Sequence, residues 1–140
     1  MNLTFYKYES EGFIELPFIE EGIKAGFPSP AADFEGKRIS LDKELIKNET
    51  ATFFARVDGD SMINAGMSDG DLLVIDRSLE PQSNKIAVCM LDGEFTVKRL
   101  RVTREAVYLV PENKSFSEIK VEDDQELVIW GIVTYVIKKV

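Results

Sequence analysis

The chain has 140 residues, 44% hydrophobic and 30% charged, which is the composition of one ordinary globular domain with enough apolar residues for a core. Its 17 basic and 25 acidic side chains give a net charge of −8, which argues against tight direct DNA binding, since that needs a basic face. Histidine is absent and Cys89 is the only cysteine, so Ser–His–Asp and Cys–His catalysis, an intrachain disulfide and a cysteine metal cluster are excluded.

In chain order, the first stretch differs from the rest. It holds Pro17, Pro28 and Pro30 with Gly12, Gly22, Gly26 and Gly36, and its apolar residues fall in small groups that fit neither a long helix nor a regular strand. Residues 1–40 read as an arm of short extended pieces; Phe5, Phe13, Phe18, Phe27 and Phe34 are many aromatics for a disordered tail. Residues 41–140 read as the body. A short helix is expected over 40–48, capped by Ser40, with Leu41, Leu45 and Ile46 on one face. Strands follow over 52–57 and 72–76, the latter after the turn Ser68-Asp69-Gly70. Strands over 85–91 and 94–102 flank Asp92-Gly93, a strong hairpin signal. Another covers 107–110 and stops at Pro111. The last, 127–137, is long and β-branched, with Gly131 as a bulge or bend. The fold class is mostly β, a compact antiparallel domain. No apolar run approaches the ~18 residues of a membrane span. The N-terminus lacks the basic-then-apolar order of a signal peptide. A cytoplasmic protein is expected, with no cofactor and no metal.

Without histidine, a serine nucleophile needs another base, and a lysine serves if its pKa falls. In the 94–102 strand, Thr96, Lys98, Leu100 and Val102 share one face, so Lys98 sits on a face that is otherwise nearly apolar. Burial there would lower its pKa; the alternative is a lysine that snorkels to water, and alternation alone favours it. Ser61 lies in Val57-Asp58-Gly59-Asp60-Ser61-Met62-Ile63, where a strand ends and a segment over 61–65 begins. If that segment is a helical turn, Ser61 sits beside free backbone N–H groups suited to an oxyanion. An ordinary helix cap also explains such a serine, and taken by itself the residue favours that structural reading.

Other patterns are weaker. Ser40-Leu41-Asp42-Lys43 fits an S-x-x-K motif, but its companion motifs are missing and a capped surface helix accounts for it. Glu122, Asp123, Asp124 and Glu126 lack the spacing of a calcium loop and read as a solvated turn. Lys98, Arg99, Arg101 and Arg104 form the one local basic cluster, read as a charged strand and its turn. Cys89, with no cationic neighbour in sequence, reads as core.

Five stretches in order, GFPSPAADF (26–34), VDGDSMI (57–63), SDGDLLVID (68–76), DGEFTVKRL (92–100) and WGIVTYVIK (130–138), resemble the UmuD-like branch of the LexA-type self-cleaving serine peptidases. The resemblance runs from about residue 25 to the C-terminus. It implies a twisted antiparallel LexA/UmuD-like catalytic domain behind a cleavable arm. It places the nucleophile at Ser61, the general base at Lys98 and the self-cleavage site between Ala25 and Gly26, with the amides of Asp60 and Ser61 as the oxyanion hole. It further implies a homodimer, stimulation by a RecA filament on single-stranded DNA, and partnership of the cleaved form with a UmuC-like translesion polymerase. The repressors of the family carry a helix-turn-helix domain before the cleavage site, and the stretch before Gly26 is too short for one, so an accessory role in SOS mutagenesis is expected. The competing readings are a peptidase acting on other proteins, a non-enzymatic binding module and a truncated repressor descendant.

Overall fold

The computed structural model describes residues 2–8, 12, 15–17 and 38–140. It contains two compact units, Met1–Tyr8 with Asn48–Val140, and Glu9–Lys47. The larger is an eight-stranded sheet in the order β1-β4-β5-β10-β6-β7-β8-β9, every neighbouring pair antiparallel. Its strands are β1 (Asn2–Lys7), β4 (Thr52–Asp58), β5 (Leu72–Asp76), β6 (Ile86–Leu91), β7 (Glu94–Val102), β8 (Val107–Val110), β9 (Ile119–Lys120) and β10 (Leu127–Ile137). The antiparallel expectation holds, and the six strands expected from residue 52 onward are found within a residue of their bounds, while β9, at Ile119–Lys120, was not expected.

Three expectations differ. Residues 1–40 were read as arm, yet β1 lies within them and pairs with β4 from Asn2↔Asp58 to Lys7↔Phe53. Leu3 and Phe5 alternate toward the core, but the partner that makes this stretch a strand is distant in sequence. The body, in turn, begins at Asn48 rather than at residue 41. The expected 40–48 helix is the five-residue α1 (Leu41–Leu45); Ser40 precedes it without a side-chain capping bond, as the last residue of β3 (Arg38–Ser40), which pairs with β2 (Glu15–Pro17). A short amphipathic stretch with no buried residue lacks the packing that would extend it.

The core has two clusters because β6 is buried on both faces. Val88 joins Ala55, Val57, Met62, Met67, Leu73, Ile75 and Val97; Ala87 and Cys89 join Leu100, Leu109 and Ile132. Each large side chain buried this way stabilises the fold by roughly 1.5–3 kcal/mol. A strict alternation would place Ile129 and Ile132 on opposite faces of β10. A register shift between Ile129 and Gly131 keeps both against the second cluster, where a bulge or bend was expected. Gly131 is required there, since a Cβ would stand 2.6 Å from Ile75 Cγ2. At the β6–β7 hairpin, Asp92 and Gly93 both take positive φ, 49° and 84°, the requirement of a type I′ turn.

Two buried carboxylates secure the ends of β5. Asp71 accepts from Lys138 Nζ at 2.5 Å and from the Ser68 amide at 2.8 Å. Asp76 accepts from Asn48 Nδ2 at 2.7 Å and from both the amide and the hydroxyl of Ser78. Burial pushes both carboxyls up, but these donors outweigh it and hold them below the usual range.

Candidate active site

Strand β7 carries Lys98 on the face that looks toward the second core cluster. Cross-strand pairing sets Lys98 opposite Ala87 and Thr96 opposite Cys89. The result is a lysine only 6% exposed, not one that snorkels to water. Its Nζ stands 2.5 Å from Thr96 Oγ1, 3.1 Å from the Val97 carbonyl oxygen and 3.5 Å from Ser61 Oγ. Burial among these neighbours lowers its pKa below the ordinary lysine value.

Ser61 reaches this lysine across 37 residues of chain and is 2% exposed. It does not stand at the start of a helical turn over 61–65, the condition on which its place beside free N–H groups was read. The 3-10 turn is Ile63–Ala65 with Met62 as its cap, and Ser61 lies in the preceding turn, closed by the Ile63 amide donating to the Asp60 oxygen at 3.1 Å. Asp60 and Ser61 follow Gly59, whose φ of 113° lets the chain leave β4 sharply. Among the described residues, neither the Asp60 nor the Ser61 amide donates a hydrogen bond.

The valences around Nζ suit a general base. A neutral amine has two hydrogens and one lone pair. Nζ has three acceptors in reach, the Val97 carbonyl and the Thr96 and Ser61 hydroxyls; in the neutral form the first two can take its two hydrogens and the lone pair is left for Ser61 Oγ. Thr96 is the partner that sequence reasoning placed on the right face without giving it a role; a hydroxyl two residues before a lysine on a strand was the signal.

Cys89, read as having no cationic neighbour, lies diagonally across from Lys98 because of the β6–β7 register. It is fully buried, and burial pushes its thiol up to about 12 although Lys98 pulls the other way. It therefore stays neutral and does not compete as a nucleophile. Two other members of the basic cluster are used in structure: Arg99 pairs with Glu112, and Arg101 pairs with Glu118 and stacks on Tyr108 at 3.9 Å. The acidic turn at 122–126 is held by Gln125, which donates to Asp92 at 3.3 Å, and by the Glu126 amide, which donates to the same carboxylate at 2.9 Å. Ser40 and Lys43 belong to the smaller unit. Ala25 and Gly26 lie outside the described residues. Among the described residues no helix is long and apolar enough to cross a membrane.

Residues 17–134 match the family described as Peptidase S24-like. The chain is 43% identical to Protein MucA of Salmonella typhimurium, over 86% of this chain and 82% of that protein. It is 42% identical to Protein SamA of Salmonella typhimurium (strain LT2), over 88% and 85%. It is 35% identical to the LexA repressor of Xylella fastidiosa over 92% of this chain, and spans 60% of the repressor's length.

Proposed function

The chain belongs to the peptidase S24-like family of self-cleaving serine peptidases, and from that premise we propose that it cuts its own backbone between Ala25 and Gly26, with Ser61 as nucleophile and Lys98 as general base. Neutral Lys98 takes the Ser61 proton as Oγ attacks the Ala25 carbonyl carbon. The negative oxygen that forms is met by the amides of Ser61 and Asp60. The intermediate collapses to an ester on Ser61, the C–N bond breaks, and Lys98 returns the proton to the departing Gly26 amine. Water, deprotonated by Lys98, then attacks the ester carbonyl, Lys98 returns that proton to Ser61 Oγ, and the segment ending at Ala25 leaves the serine as a carboxylate.

One observation carries this reading: a lysine amine, buried and depressed in pKa, 3.5 Å from a buried serine hydroxyl brought from another element. A pair of this kind costs stability, since desolvating an ammonium is unfavourable, and a structural role does not need it. The sequence around the cleavage bond agrees. Alanine and glycine are small enough for an extended arm to enter a narrow cleft, and Pro28 and Pro30 keep the following chain out of a helix.

Similarity to Protein MucA, Protein ImpA and Protein SamA supports reading the chain as an SOS-type protein. Within that setting its further role is a homodimer whose cleavage is stimulated by a RecA filament on single-stranded DNA. The shortened dimer then serves a UmuC-like translesion polymerase as accessory subunit. The filament supplies no catalytic group in this scheme. It binds better to the state in which the arm fills the cleft and Lys98 is desolvated, and so shifts the population toward it. Incubation with a RecA–ATP–single-strand filament, followed by intact mass, tests the reading: the expected product begins at Gly26 and is missing in Ser61→Ala. Cleavage at Gly26 by Ser61→Ala contradicts the assignment.

A further inference from the structure

The loop after β8 grips the turn that carries Ser61 at three points. The Asn64 amide donates to the Glu112 oxygen at 2.7 Å, the Glu112 amide reaches Met62 Sδ at 3.3 Å, and Asn113 Nδ2 donates to the Asp60 oxygen at 2.9 Å. The last contact falls on the peptide that joins Asp60 to Ser61. In a trans peptide the C=O and N–H point in opposite directions, and no described peptide bond is cis. Whatever holds the Asp60 oxygen therefore sets the direction of the Ser61 N–H.

The Ile63 amide already closes the turn by donating to that same oxygen. The Asn113 donor adds a second direction of pull and fills the remaining lone pair, which removes rotation of the peptide plane. The orientation of Asn113 is itself set: its Oδ1 accepts from the Ser115 amide at 2.9 Å, which leaves Nδ2, the donor, for Asp60. We propose that Asn113 is a positioning residue for self-cleavage, locking the Asp60–Ser61 peptide so that the Ser61 N–H meets the oxyanion on the scissile carbonyl. The proposal rests on Ser61 being the nucleophile. It adds to that reading a residue 53 positions from Asp60 that has no hydrogen bond to the serine side chain or the lysine.

The test measures self-cleavage rate against pH by intact mass, with urea unfolding of the same samples. Asn113→Asp keeps the size and the acceptor for the Ser115 amide while removing the donor; Asn113→Ala removes the donor without adding charge. Deleting an oxyanion donor outright costs about 10²–10³ in rate, so misaiming one is expected to lower the plateau rate about 10- to 100-fold in both variants. The pH midpoint, set by Lys98, stays at the wild-type value and the unfolding midpoint stays close to it. A wild-type plateau in either folded variant overturns the proposal. So does a rate loss accompanied by an upward shift of the pH midpoint and a fall in stability, because that marks a loosened site in which water has returned to Lys98. Wild type that fails to cleave at Gly26 contradicts the peptidase reading itself; cleaving wild type with unaffected variants contradicts only the role of Asn113.

Discussion

Lys98 and Arg101 stand on the same strand, three residues apart and on opposite faces, and their fates are opposite. Arg101 is half-exposed, paired with Glu118 and laid over Tyr108. Lys98 is buried, has no carboxylate partner among the described residues, and bonds only to two hydroxyls and a carbonyl. The arginines keep their charge and support the sheet at little cost. The lysine is held where its charge is expensive, which lowers its pKa and suits it to the proposed role of base. A cation's chemistry here is decided by the face of the strand, not by the residue's place in a basic cluster.

The widest separation of the two faces comes from removing the reacting groups. Ser61→Ala is expected to lose about 10⁶-fold in cleavage rate, read as no product at Gly26 by mass spectrometry. Lys98→Ala should lose about 10²–10⁴-fold. Lys98→Arg should behave like it, since a guanidinium does not deprotonate. Thr96→Val leaves one amine hydrogen without its acceptor and frees the lysine to rotate. About tenfold in rate is expected, the equivalent of ~1.4 kcal/mol, with folding retained on circular dichroism.

The lysine also predicts a stability signature. Its folded pKa lies below its unfolded one, so between the two the unfolded chain binds more protons and stability rises with pH. Denaturant midpoints of wild type should climb through the alkaline range toward the ordinary lysine pKa, and those of Lys98→Met should lack that rise. A wild-type profile as flat as the variant's would mean that Lys98 is hydrated in solution. Gly131→Ala, away from both faces, should cost about 1–3 kcal/mol through the close approach of Ile75, seen as a lower urea midpoint at unchanged slope. Arg101→Ala should change the midpoint by less than ~1 kcal/mol and leave cleavage at the wild-type rate.

The readable parts of the sequence were those whose cause is local. Asp92-Gly93 announces its own hairpin, and the alternation of 94–102 placed Thr96 and Lys98 on one face. Gly131 in a β-branched run marked the bend. What stayed hidden depended on distant chain. Alternation showed the face of Lys98 but not its burial, which comes from Ala87, Cys89 and the Ser61 turn; only the resemblance to a known family turned the snorkelling lysine into a base. Asn2–Lys7 was read as arm because its partner, β4, is remote and its own pattern is mixed. Asn113 carries no local mark at all, since its role exists only where its loop meets the Asp60 carbonyl.

The most direct test of the central claim is the rate of appearance of the product beginning at Gly26 as pH is raised, in wild type and Lys98→Ala side by side, followed by intact mass. The account predicts a wild-type rate that rises with a midpoint below the ordinary lysine pKa, and a Lys98→Ala rate lower by about 10²–10⁴-fold that does not show that rise. Cleavage at Gly26 by Lys98→Ala with the same pH dependence would show that the buried amine is not the base.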